Sequence, residues 1–139
     1  MKKSIVLLAL LALATPSFAA GGFRLVANPS VRAGQLSKSA ASAIFLKKTV
    51  KWDDGSTIIA VDQVEKSAVR ATFTTAVHGK SPAAVKSFWQ QQIFSGRDVP
   101  PVEKSSDSEV LAYIRSTAGA IGYVSEAADT SGLKVVEVN

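Results

Sequence analysis

Thr57-Ile58-Ile59-Ala60-Val61 is followed, after Asp62-Gln63-Val64-Glu65, by Lys66-Ser67-Ala68-Val69-Arg70-Ala71-Thr72-Phe73-Thr74-Thr75-Ala76-Val77-His78-Gly79. The two pieces carry different periods. Thr57 to Val61 is a β-branched apolar run and reads as a buried strand. From Lys66 to His78 the spacing is helical, with Val69, Phe73 and Val77 at i, i+4 and i+8, and Gly79 closes it. Working back from this strand–helix unit, Asp53-Asp54-Gly55-Ser56 is a turn. A helix is expected from Ser37, with Leu36, Ala40, Ala43 and Ile44 on one face and Lys38, Lys47 and Lys48 outside it. Phe23 to Asn28 reads as a first strand, stopped by Pro29.

Working forward, Ser81-Pro82 starts another helix, with Ser as cap and Pro at the first helical position. Its apolar stripe is Val85, Phe88, Trp89 and Ile93. Gly96, Pro100 and Pro101 mark a loop, and Val102 to Ser105 a short strand. Ser106-Asp107-Ser108-Glu109 has the form of a capping box and opens a helix through Val110, Leu111 and Ile114. Ala120 to Val124 and Leu133 to Val138 read as the last strands. The order β-α-β-α-α-β-α-β-β argues for an α/β domain with a mixed, mostly parallel sheet flanked by helices.

The N-terminus reads as an address. Met1-Lys2-Lys3 is basic, Ser4 to Leu13 is uncharged and mostly aliphatic, and Ser17 and Ala19 are the small residues a signal peptidase reads. Residues 1–19 are therefore expected to be a signal peptide, and residues 20–139 the working domain, in the periplasm. The apolar run is short of the roughly 20 residues that a spanning helix needs. No later segment is apolar enough to cross a membrane, so no span is expected after cleavage. The remainder, about 120 residues, is the size of one domain. The composition, 47% hydrophobic and 19% charged, is that of a globular chain. Absence of Cys excludes disulfides, thiolate nucleophiles and Cys-ligated metals. The formal charge of +5 includes Lys2 and Lys3. The mild surplus suits an anionic small ligand, and its scatter along the chain does not point to nucleic acid.

The candidate ligand-binding residues are Lys66, Ser67 and Arg70, at the start of a predicted helix. A helix N-terminus attracts anions, Lys66 adds a point charge, and Arg70 offers a two-pronged grip on an oxyanion. The other reading is a solvated helix start, in which Glu65 satisfies the dipole and pairs with Lys66. Ser105, Ser106 and Ser108 lie at another helix start, where capping accounts for Ser106. His78, the single His, is expected to make a dipole contact in its helix's last turn. Trp52, Phe88, Trp89, Phe94 and Tyr123 are expected in the core, and Lys47, Lys48 and Lys51 on a solvated face. There is no Ser/His/acid set, so no catalytic residue is expected; one His without other ligands builds no metal site, and no cofactor is expected.

Four segments together carry a resemblance. They are Val26-Ala27-Asn28-Pro29, Ala43-Ile44-Phe45-Leu46-Lys47-Lys48 followed by Trp52, Ser67-Ala68-Val69-Arg70-Ala71-Thr72-Phe73, and Gly119-Ala120-Ile121-Gly122-Tyr123-Val124. From Phe23 to Val124 the chain resembles the phosphate-binding protein of phosphate ABC transporters. It more closely resembles the small single-lobe exported proteins related to it, in the type II periplasmic binding protein superfamily. The full-length relatives have two α/β lobes that clamp an anion between them, so the resemblance implies a single lobe and half of a cleft. Those relatives share an Arg-Ser-Asp-Gly-Ser-Gly-Thr-Thr stretch before the helix. Here Asp62 to Val69 stands in its place, without the glycines and with Ser67 and, downstream, Phe73 alone retained in kind. What the resemblance implies is a solute-binding-type module for a small oxyanion such as phosphate, in transport or sensing. The alternative is a ligand-free interaction or adaptor protein that keeps the fold and binds an envelope or transporter protein.

Overall fold

The computed structural model describes residues 22–139; the expected signal peptide lies outside them. Six strands form one sheet: β1 Phe23–Ala27, β2 Gln35–Leu36, β3 Ile59–Gln63, β4 Val102–Lys104, β5 Ala120–Ser125 and β6 Lys134–Val138, in the order β2-β6-β1-β5-β3-β4. The helices are α1 Lys38–Phe45, α2 Ala68–Phe73 continued by a π-helical turn Thr74–His78, α3 Pro82–Phe94 and α4 Asp107–Ser116. Strand β3 is parallel to β4 and β5, and β2 is parallel to β6. Central β1 runs antiparallel to both β5 and β6. The sheet is thus mixed and mostly parallel, as expected. Two-residue β2 is the one strand absent from the expected order. Strand β3 begins at Ile59, two residues late, because Thr57 bridges Lys51 across the Asp53–Ser56 turn. Asp54 fixes that turn by accepting from Ser56 N at 2.9 Å.

Side chains along a strand alternate between faces, and the two cores follow that alternation. Leu25, Ala27, Ala60, Ile121 and Tyr123 pack with Ala41, Ile44, Phe45, Phe73 and Val77 from α1, α2 and the π turn. Val26, Val61, Ala120 and Val124 pack on the other face with Val110, Leu111 and Ile114 of α4. Gly122 sits on the α4 face. A Cβ there would meet Ile114 Cδ1 and Val110 Cγ1 at 3.0 Å and Val61 O at 3.2 Å, so glycine is what lets α4 lie this close. Gly119 has φ +76° and backs onto the Thr57 carbonyl, which excludes a side chain on two counts.

The helix starts follow their caps. Ser37 Oγ accepts from Ala40 N, Ser81 Oγ from Ala84 N, and Ser106 Oγ from Glu109 N. Glu109 Oε2 reaches back to Ser105 N at 2.8 Å, one residue before the cap. Helix α3 hangs off the body: Leu46, Val85 and Trp89 form a small separate cluster with Phe88 at its edge. Two expectations fail on this helix. Phe94, placed in the core with the other aromatics, is 96% exposed, and Ile93 is 53% exposed. Beyond Trp89 the helix has left the surface that it packs on.

Candidate functional site

Because β3, β4 and β5 are parallel, their C-terminal ends meet at one edge of the lobe, and α2 and α4 begin there. Asp62 and Gln63 end β3, Glu103 lies on β4, Asp107 opens α4, and Tyr123 and Ser125 come from β5. Gln63, 2% exposed, is the hub. Its amide nitrogen donates to Asp107 Oδ1 at 2.9 Å and to the Tyr123 carbonyl at 3.0 Å. Its amide oxygen accepts from Ser67 Oγ at 2.8 Å. Asp107 also accepts from Ser125 N at 3.2 Å and from Ser125 Oγ at 2.5 Å.

Arg70 runs beneath this hub. Its Nη1 donates to the Gln63 carbonyl at 2.7 Å and to Glu103 Oε1 at 2.8 Å, and its Nε stands 3.7 Å from Asp62 Oδ1. Asp62 Oδ1 accepts from Gln63 N at 2.9 Å and from the Tyr123 hydroxyl. Donors converging on one carboxylate oxygen are the surroundings of a charged carboxylate. Burial raises the Asp62 carboxyl above its usual range, against the opposing charge of Arg70 and the hydrogen bonds from Tyr123 and Gln63 N. Burial, then the negative charge of Asp62, pushes the Tyr123 hydroxyl far upward, so it stays a neutral donor.

The three candidate ligand residues are therefore placed differently. Lys66 is exposed in the turn before α2. Ser67 is the residue before the helix, and its hydroxyl goes to Gln63 rather than to the helix. Arg70, expected to reach outward, is 7% exposed and already holds two carboxylates and a carbonyl. It lies on the inward stripe Arg70, Phe73, Thr74 and Val77. Glu65 pairs with Lys86 at 3.4 Å, not with Lys66. Sequence reasoning missed Asp62, Gln63, Glu103 and Asp107. The available signal was two polar residues directly after a buried apolar run.

His78 corrects another expectation. Its Nδ1 lies 2.7 Å from Ser42 Oγ on α1, and its ring packs edge-on to Phe73 at 5.5 Å. Burial, helped by the charges of Lys80, Arg70 and Lys48, lowers its pKa to about 4. The ring is neutral at pH 7 and makes no charge–dipole contact. A base whose folded pKa lies below its unfolded value costs stability as pH falls through the interval between them. The domain is expected to lose about 1–2 kcal/mol between pH 6.5 and 4 from this group, allowing for solvent screening. The difference between wild type and His78→Gln in urea melts across that range checks it. Parallel pH curves would show that His78 carries no such penalty.

A separate cleft of about 520 Å³ lies at the opposite end of β3, lined by Arg32, Lys51, Trp52, Asp53 and Asp54 among others. Its walls carry both signs of charge. Trp52 Nε1 is used to hold the Gly119 carbonyl at 3.0 Å. Among the described residues, no group of three or more His, Cys, Asp or Glu is placed to hold a metal ion.

In open α/β sheets ligands bind outside the C-terminal ends of parallel strands, and this lobe gathers its polar residues there. The family model described as a PBP superfamily domain matches residues 12–138, and the chain belongs to that family. No curated protein matches the chain. Among solved structures, an ABC-type phosphate transport receptor from Vibrio cholerae aligns with a TM-score of 0.67 at 15% identity, over 85% of this chain and 46% of its own. PstS from Borrelia burgdorferi aligns with a TM-score of 0.66 at 13% identity, over 86% and 47%. A phosphate binding protein from Stenotrophomonas maltophilia aligns with a TM-score of 0.62 at 17% identity, over 85% and 39%. The chain spans less than half the length of these structures, and at such identities the likeness is one of fold.

Proposed function

We propose that this chain is an exported, non-catalytic solute-binding-type lobe that takes a small oxyanion such as phosphate, weakly, at the start of α2. Family membership supports the solute-binding part, and the basic–aliphatic–small pattern of residues 1–19 supports export to the periplasm. The observation that carries the site is the Arg70–Glu103 pair. Arg70 is buried and keeps Asp62 behind it, while the Glu103 side chain is 43% exposed. A carboxylate is itself an oxyanion, so Glu103 occupies the place that a ligand would take on Arg70. An external anion binds by displacing it toward solvent, with Lys66 and Ser67 at the rim.

Internal competition and a single open lobe keep the affinity low, micromolar to millimolar, or about −4 to −8 kcal/mol. Removing the competing charge should then help the ligand. Calorimetry with phosphate and with sulfate, at low ionic strength, is expected to show Glu103→Gln binding roughly tenfold more tightly than wild type. Equal affinities in the two proteins would place the site away from Arg70, and no heat from either at millimolar anion would end the anion reading. A second reading is favoured by the closed hydrogen bonding of Gln63, Ser67, Asp107 and Ser125. In it the lobe is an adaptor that recognises an envelope or transporter protein and binds no solute. No rise in melting temperature with any anion is the outcome it requires.

A further inference from the structure

The end of α3 exposes a prong. Phe94 is 96% exposed, Ile93 beside it 53%, and Val99 in the following loop 58%. The loop is folded back on the helix end, with Gly96 N bonded to Ile93 O at 3.1 Å and Arg97 N to Gln92 O at 3.0 Å. Phe94 and Ile93 are neighbours on the helix, and two adjoining large apolar side chains left this exposed mark an interaction site. Their surroundings are basic. Lys48 Nζ stands 6.0 Å from the centre of the Phe88 ring, and Phe88 and Phe94 line one shallow groove. Asp98, in the same loop, is taken up by Lys47 at 3.7 Å. Among the described residues, neither Lys48 nor Arg97 is in an ion pair.

We propose that this tip docks the lobe onto an anionic lipid surface, with Phe94 and Ile93 entering the headgroup–acyl boundary and Lys48 and Arg97 meeting lipid phosphates. The shape selects lipid over a protein partner. A phenylalanine exposed to this extent is a protrusion, and a folded partner would need a matching hole, whereas a bilayer interface closes around any apolar prong. Apolar aromatic residues bordered by Lys and Arg are the composition of interfacial anchors. Each nearby cation adds attraction to an anionic leaflet. The same cations argue against a second copy of the chain, which would bring like charges together. No helix among the described residues is long and apolar enough to cross a membrane, so this is attachment to the surface and not a span. None of the tip's residues takes part in the Arg70 network, so the inference does not depend on whether that edge takes an anion.

Flotation with vesicles of phosphatidylglycerol and phosphatidylcholine in equal parts, against phosphatidylcholine alone, is the test. The protein is taken from periplasmic extract, with its N-terminus fixed by intact mass so that residues 1–19 do not contribute. Wild type is expected to float with the anionic vesicles, and Phe94→Ser to lower that partition roughly tenfold. The double variant Lys48→Glu/Arg97→Glu should lower it comparably, and about 0.5 M NaCl should weaken wild-type binding. Phe94→Ser removes an exposed side chain, so its melting temperature should match wild type and loss of partition would not reflect unfolding. Wild type that fails to float at millimolar lipid would overturn the proposal and leave the prong to a protein partner. Undiminished flotation of Phe94→Ser would overturn it equally, since binding would then be general attraction of a basic protein.

Discussion

Arg70→Ala is expected to destabilise the domain by about 3–5 kcal/mol, because it strands a buried carboxylate. Asp62 is 6% exposed, and its countercharge is the Arg70 guanidinium, 3.7 Å away at Nε. The same substitution removes the donor to the Gln63 carbonyl at 2.7 Å, at the join of β3 and α2. The pair itself contributes little net stability, since taking both charges out of water offsets their attraction. Breaking one side is costly because the penalty remains without the attraction. Adding Asp62→Asn to Arg70→Ala should therefore recover part of the loss. Urea denaturation of the two single variants and the double reads this directly. A loss below about 1 kcal/mol for Arg70→Ala would mean that Asp62 finds water or a proton easily, and that the network is open rather than sealed. Glu103→Gln is expected to be mild by comparison, because Glu103 is half in solvent and Asp62 keeps Arg70 in place.

Arg70 also shows where the sequence stops being legible. The helical spacing from Lys66, the caps at Ser81 and Ser106, and the strands expected at Thr57 to Val61 and Ala120 to Val124 are local features set by period and cap chemistry. Gly119 and Gly122 could be picked out as part of a motif, but the reasons for them are tertiary: a close helix and a neighbouring carbonyl. Arg70 read as an outward cation because it stands in the first turn of a helix. Its true neighbours are Glu103, 33 positions on, and Asp62, packed under Tyr123 of another strand. Spacing did hold a hint, since positions 70, 73, 74 and 77 share one helical face with Phe73 and Val77. A cation on an apolar stripe is either misread or paired from afar. Phe94 failed for the opposite reason. Composition places aromatics inside, and nothing local tells that the far half of α3 has no surface to lie on. The direction of β1 was likewise not legible, since alternation of strands and helices does not say which strands return antiparallel.

Phe73→Ala is expected to cost about 3–5 kcal/mol, at the upper end for a single truncation. Phe73 is 1% exposed and lies where α2 passes into the π turn. Its ring stacks on Tyr123 at 3.9 Å and 8° between planes, and meets Phe45 edge-on at 4.7 Å and Phe23 at 5.4 Å. Three strands or helices thus touch one ring, and none of them can close the space that an alanine would leave without giving up its own register. The stacked Tyr123 is the residue that donates to Asp62, so a cavity here also loosens the support of the buried charge network. Phe73→Leu keeps most of the volume and is expected to cost less, about 1–2 kcal/mol. If the two networks are coupled, Phe73→Ala and Tyr123→Phe should not add. A double-mutant cycle in urea would give an interaction energy above about 0.5 kcal/mol. Strict additivity, or a loss below about 1 kcal/mol for Phe73→Ala, would mean that the aromatic cluster and the polar edge are separate and that α2 can settle inward to fill the space.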